Sequence, residues 1–173
     1  SYESALKFMC DKNDIKWTEE KGKCARQILE KYNTRVNPRE KEVSSDTIFG
    51  EIFEKWGESI SYLDKSKKSF YEFFQREATI YDDVKPLLHY CKNHGIKCCV
   101  YTDVAYGMDD IYSLKDIDEV DDFIDLKLTS VNVGYRKPNK TGFEIMLKNF
   151  NCNPDQMFFV GDEEKDMIGA SAV

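Results

Sequence analysis

The sequence lacks the features that would tie it to a membrane, an export route or a polyanion. No apolar run approaches the roughly 20 residues needed to span a bilayer. The first residues, Ser-Tyr-Glu-Ser-Ala-Leu-Lys, contain no apolar stretch of the kind a signal peptide needs. Histidine is scarce: His89 and His94 stand at i, i+5 in one helix-like segment, a poor spacing for a shared metal. The six cysteines include no CxxC pair, so reduced thiols in a cytoplasmic protein are expected. Positive charge is also in deficit. Lys and Arg number 25 against 32 Asp and Glu, and the formal net charge of −7 argues against a general nucleic-acid binder. A local Lys or a bound cation could still receive an anionic substrate. There is no internal repeat and no low-complexity tract.

What remains is a globular composition. The 173 residues are 41% hydrophobic and 33% charged, enough for one sizeable domain or a core with a smaller attachment. Residues 1–78 read as helices. Thr18 followed by Glu19 and Glu20 looks like a capped helix start, with Cys24, Ile28 and Leu29 on one face. Asp46 is placed as the cap of a second helix carrying Ile48, Ile52, Phe53 and Trp56. The aromatic stretch around Phe70, Tyr71, Phe73 and Phe74 belongs to a third, over 67–78, and reads as core rather than pocket lining.

The pattern then changes to alternation. Residues 82–94 read as a helix closed by Gly95. Residues 96–101 form a short apolar strand, 109–114 a short helix, 123–129 a strand, 138–150 a helix, 157–160 a third strand and 163–170 a last helix. Such alternation predicts a parallel sheet covered by helices, hence an α/β core over 79–173 behind a helical domain over 1–78.

Polar residues stand where each strand ends, which is where open parallel sheets bind ligands. Thr102 closes the strand ending Cys-Cys-Val-Tyr, and its hydroxyl can donate to a phosphate oxygen. Lys137, in Gly-Tyr-Arg-Lys-Pro, can turn its ammonium toward developing negative charge. Asp162 and Asp166, in Gly-Asp-Glu-Glu-Lys-Asp, offer hard oxygen ligands to Mg²⁺, which takes one or two carboxylates beside water and phosphate. Asp103 either caps its loop or touches substrate. Arg136 is a solvated neighbour of Lys137 or a surface ion-pair partner. Taken singly, each is an ordinary turn or surface residue; their order and common position give them weight.

In that order the three motifs resemble those of the haloacid dehalogenase (HAD) superfamily of hydrolases: an apolar strand ending in Thr or Ser, a Lys, then Gly-Asp-x-x-x-Asp. The resemblance implies a Rossmann-like parallel-sheet core with an N-terminal helical cap. It implies a Mg²⁺-dependent, phosphatase-type enzyme acting on a small phosphorylated metabolite. In that scheme Thr102, Asp103 and Lys137 face the phosphoryl group, Thr102 and Lys137 assist catalysis, and Asp162 and Asp166 serve the metal. A phosphomutase or other transferase is the alternative enzyme, and a non-catalytic binding protein the alternative of another class.

The family's first motif, Asp-x-Asp-x-Thr, carries the nucleophile and is not found before the helical segment. Asp116-Ile117-Asp118 has the letters but falls after the second motif, has no apolar strand before it and lacks the Thr. The expectation is therefore a chain truncated at both ends, inactive by itself, rather than a degenerate member.

Overall fold

Side-chain caps set several of the helix starts. In the computed structural model, which describes residues 1–76 and 78–173, the helices in chain order are α1 (Tyr2–Lys12), α2 (Glu19–Tyr32), α3 (Ser45–Trp56), α4 (Leu63–Gln75), α5 (Val84–Asn93), α6 (Asp110–Ser113), α7 (Ser130–Val133), α8 (Thr141–Phe150) and α9 (Glu164–Ser171). The strands are β1 (Cys99–Thr102) and β2 (Leu126–Thr129). Thr18 caps α2 as its sequence suggests, accepting the Lys21 amide at 3.2 Å. The cap of α3 is Ser44 rather than Asp46: the serine oxygen accepts the Thr47 amide at 3.2 Å, leaving Asp46 in the first turn, where its charge suits the helix dipole.

The chain divides into two compact units. The first comprises Ser1–Pro38, Val43–Thr79 and Ala105–Asp116. Its core is aromatic. Ile48, Phe49, Ile52, Phe53 and Trp56 recur at helical spacing on α3 and are all buried. Phe49 meets Phe70 edge-on at 5.0 Å and Tyr71 at 5.8 Å, so the α4 aromatics are core, although Phe74 is exposed. The buried Tyr71 hydroxyl donates to the Tyr106 carbonyl at 3.0 Å. Gly107 follows at φ +64°, and a Cβ there would stand 2.1 Å from the Val43 carbonyl oxygen, a position only glycine can hold. Lys67 is buried in this unit, with Ser45 and Asp109 each 3.3 Å from its ammonium, Asp46 closer and Asp64 at 3.5 Å.

The second unit comprises Arg39–Glu42, Ile80–Val104 and Ile117–Val173. β1 and β2 pair in parallel, from Cys99 opposite Leu126 to Thr102 opposite Thr129. Tyr101, Leu128, Phe143 and Met146 form its buried centre, flanked by Met157 and Phe159. α8 begins at Thr141 and not at Pro138, because the Asn139 side chain accepts both the Thr141 amide and hydroxyl and forms a turn first. The strand expected over 157–160 joins no ladder among the described residues. Met157 has extended dihedrals, and the segment alternates as a strand would, with Met157 and Phe159 against the core and Phe158 and Val160 outward. Among the described residues no strand lies paired beside it.

All six cysteines are free. No helix among the described residues is long and apolar enough to cross a membrane.

Candidate active site

The loops after β1, before α8 and before α9 meet in the second unit. Tyr101 is the last inward residue of β1, and its carbonyl accepts the Lys137 ammonium at 3.2 Å. That ammonium also lies 2.8 Å from Asp166 Oδ1, both side chains being more than nine-tenths buried. The Tyr101 and Phe159 rings stand 5.1 and 5.6 Å from it, giving the cation two π faces. Lys137 is thus held between the end of β1 and the start of α9.

The Gly161–Asp166 segment explains its own spacing. Asp166 Oδ2 accepts the Glu163 amide at 3.2 Å, closing the first turn of α9. Its side chain lies so close beneath Gly161 that a Cβ there would stand 2.4 Å from Oδ2. Burial raises the Asp166 carboxyl pKa, but the Lys137 ammonium and the Glu163 amide outweigh it, so the group stands below its ordinary 3.8 and is ionised at neutral pH. Asp162 differs in being exposed.

Asp103 sits beside this pair. Its Oδ1 accepts the Lys137 backbone amide at 3.1 Å, and Lys165 brings its ammonium to 2.9 Å from Oδ2. Lys165 also pairs with Glu163 at 2.6 Å. Thr102, half-buried at the end of β1, immediately precedes Asp103. The structure therefore brings Asp103, Lys137 and Asp166 together through direct contacts, with Thr102 and Asp162 adjoining them in the chain.

As a cation site the donor set is hard and anionic, as Mg²⁺ requires, but thin. Asp162 supplies one solvent-facing carboxylate, while Asp166 is turned toward Lys137 and the Glu163 amide. Among the described residues no group of three or more His, Cys, Asp or Glu side chains is placed to hold a metal. This suits a cation bound by one or two carboxylates, water and a phosphate rather than an all-protein cage.

Arg136 is not a surface residue. It is buried, donates to the Val104 carbonyl at 2.8 Å, and pairs with the buried Glu42 carboxylate. The Ser130 hydroxyl donates to the same carboxylate and accepts the Val104 amide at 3.0 Å. Glu42, Ser130 and Lys165 are thus structural members of the neighbourhood that sequence reading missed. Glu42 lies 94 positions from Arg136, and no local pattern links them.

Residues 18–173 match the family model of the haloacid dehalogenase-like hydrolases. The chain belongs to that family. Solved structures with the same fold include a putative β-phosphoglucomutase from Thermotoga maritima, at TM-score 0.62 and 14% identity, with 99% of this chain and 73% of that one covered. The HAD-hydrolase YfnB from Bacillus subtilis, bound to magnesium, gives TM-score 0.58 at 13% identity over 97% and 78% of the two chains. A predicted phosphoglycolate phosphatase from Haemophilus somnus 129PT gives 0.58 at 14% identity over 99% and 73%. At these identities the likeness concerns the fold alone. A search of curated proteins gives no significant match.

Proposed function

We propose that this HAD-like hydrolase is a Mg²⁺-dependent phosphatase of small phosphate monoesters, with its nucleophilic aspartate on a strand outside these 173 residues. The observation that carries the reading is the Lys137–Asp166 pair at 2.8 Å, with Lys137 also 3.2 Å from the Tyr101 carbonyl. A lysine ammonium and a carboxylate loop meet beside the carboxyl end of β1, where an open parallel sheet receives ligands, and Thr102 is the last residue of that strand. The unpaired extended segment at 157–160, with Phe158 and Val160 99% and 89% exposed, supports a further strand beside it.

In this reading the Thr102 hydroxyl donates to a phosphoryl oxygen. Lys137 balances charge on the phosphate and on the attacking carboxylate. Asp166 fixes the Lys137 ammonium and closes the turn that presents Asp162. Asp162 holds the cation directly or through water, and Asp166 supports that site. When bound, Mg²⁺ supplies charge neutralisation and a template for the phosphate. The first aspartate of an Asp-x-Asp motif would attack phosphorus and break the ester P–O bond, the second would protonate the leaving alkoxide, and the same group would then take a proton from the water that cleaves the aspartyl-phosphate to carboxylate and inorganic phosphate.

The test begins with the coding sequence upstream, which should specify an apolar strand ending in Asp-x-Asp. In the intact protein, Asp162→Asn should lower Mg²⁺-dependent release of inorganic phosphate about 100-fold or more, in keeping with the loss of a metal ligand or its orienting partner. Unchanged turnover would remove Asp162 from the site. Accumulation of a phosphorylated isomer in place of free phosphate would make the enzyme a mutase, and phosphate binding without turnover would make it a binding protein.

A further inference from the structure

Two lysine–aspartate pairs cross at the site, and the phosphatase reading uses only one of them. The second is Lys165 with Asp103. The Asp103 side chain is 4% exposed, and its Oδ2 has no aligned hydrogen-bond donor among the described residues. The Lys165 ammonium at 2.9 Å therefore meets it as an ion pair, not as a directed hydrogen bond. A carboxylate this buried is costly unless compensated, and losing its partner leaves an unpaired charge out of water. Lys165 itself is 32% exposed, so the pair has one anchored member and one that reaches in from solvent. Burial lowers the Lys165 pKa, but Glu163 and Asp103 outweigh it and the ammonium stays charged.

The geometry gives the pair a task. Asp103 Oδ1 holds the Lys137 backbone amide at 3.1 Å while Oδ2 faces Lys165. Asp103 thus ties the loop after β1 to the loop that carries Lys137, and Lys165 ties Asp103 to the first turn of α9. The Lys137–Asp166 pair joins the same two outer loops by another route. Three loops are cross-braced by two pairs that share no side chain. A plain surface ion pair would contribute little, but here one oxygen of the buried carboxylate depends on it.

We propose that Lys165 is a positioning residue. By neutralising Asp103 it keeps the hydrogen bond from the Lys137 backbone amide to Asp103 Oδ1 formed, and so sets the position from which the Lys137 ammonium meets the phosphoryl group. The inference rests on the phosphatase reading for its consequence, but the bracing can be measured without turnover.

The variants are Lys165→Met, Asp103→Asn and the double variant of the intact protein. Asn keeps an oxygen to accept the Lys137 amide but carries no charge that needs a partner. Lys165→Met should accelerate hydrogen exchange at the Lys137 amide, read by NMR, and lower kcat for a phosphate monoester, each by about tenfold, with KM changed less than about threefold. Adding Asp103→Asn should return the exchange rate to within about threefold of wild type. Unchanged exchange in Lys165→Met overturns the proposal. So does failure of Asp103→Asn to rescue the exchange rate, which would mean that Lys165 acts only on the α9 turn. A wild-type protein without phosphatase activity would sink the functional reading alone, and the exchange measurement would still decide the brace.

Discussion

The two units solve the burial problem differently. In the first, Phe49, Phe53, Phe70 and Tyr71 are at most 1% exposed and belong to one continuous apolar cluster. In the second, the fully apolar centre is four residues, while Leu87, Phe158 and Val160 face solvent. A helix satisfies its backbone internally and needs only one apolar face covered. A strand needs neighbours on its edges as well as its faces. The helical core is closed by its own residues, although Ile60 and Ile111 of that unit face solvent; in the sheet unit the segment at 157–160 has no ladder partner among the described residues. Its polar side chains, by contrast, are ion-paired: Lys137, Asp166, Asp103 and Arg136 are all buried, and each meets an opposite charge. The site is more finished than the sheet that bears it.

The largest expected effect lies in the closed unit. Phe49→Ala removes a ring packed between Phe70 and Tyr71 and should cost about 4 kcal/mol. Both tryptophans, Trp17 and Trp56, belong to this unit, so urea unfolding followed by tryptophan fluorescence isolates its transition. A loss below about 1 kcal/mol would mean that the core collapses around the gap and is not closed as described.

Next comes the buried ion pair of the open unit. Arg136→Met removes one of two arginines from the buried Glu42 carboxylate, which keeps Arg39 at 3.2 Å and the Ser130 hydroxyl. Because Arg39 stays on the carboxylate, the cost should be about 2 kcal/mol, measured by the protection of Val104 and Ser130 amides from exchange. A neutral result would place Arg136 back in solvent and weaken the contrast between finished site and unfinished sheet.

Much of this was legible before the structure, for local reasons. Thr18 capping α2, the helical spacing on α3 and the parallel pairing of β1 with β2 follow from short-range patterns, as does the order of the three motifs. The cap of α3 was misplaced because Ser44 and Asp46 are both good cap residues two positions apart, and only backbone geometry chooses. The segment at 157–160 has a strand's alternation, but pairing is not a property of one segment. The sequence leaves Arg136 as a solvated neighbour of Lys137 or a surface ion-pair partner; it is an ion-pair partner, but a buried one. Its burial depends on Glu42 and Val104, and a charge 94 positions distant leaves no trace in a local window.

A smaller effect carries a pH signature. Burial pulls the Lys67 ammonium down, but Asp46 and Asp109 outweigh it, and its pKa stands above the ordinary 10.5. A raised pKa means that the pairing stabilises the fold fully below 10.5 and is lost as pH rises through the folded value. Asp46 and Asp64 are largely exposed, so solvent screening reduces the sum. Lys67→Met should cost about 1 kcal/mol near neutral pH, and the gap from wild type should narrow as urea titrations pass through the raised folded pKa. A gap independent of pH would show that the methylene packing of Lys67, not its charge, matters to the first unit.

The smallest effect probes the open sheet with neighbouring residues of the same type. Phe159 packs edge-on against Phe143 at 4.9 Å, whereas Phe158 is 99% exposed. Phe159→Ser should cost the second unit about 2 kcal/mol, and Phe158→Ser should lie within about 0.5 kcal/mol of wild type when these 173 residues are unfolded alone. In a longer chain that supplies a strand beside 157–160, the outward ring would be covered and the Phe158→Ser cost should rise toward that of Phe159→Ser. Amide exchange over β1 and α8 measures both. Equal costs for the two variants in the 173-residue chain would show that Phe158 is already packed, and the second unit would then be as closed as the first.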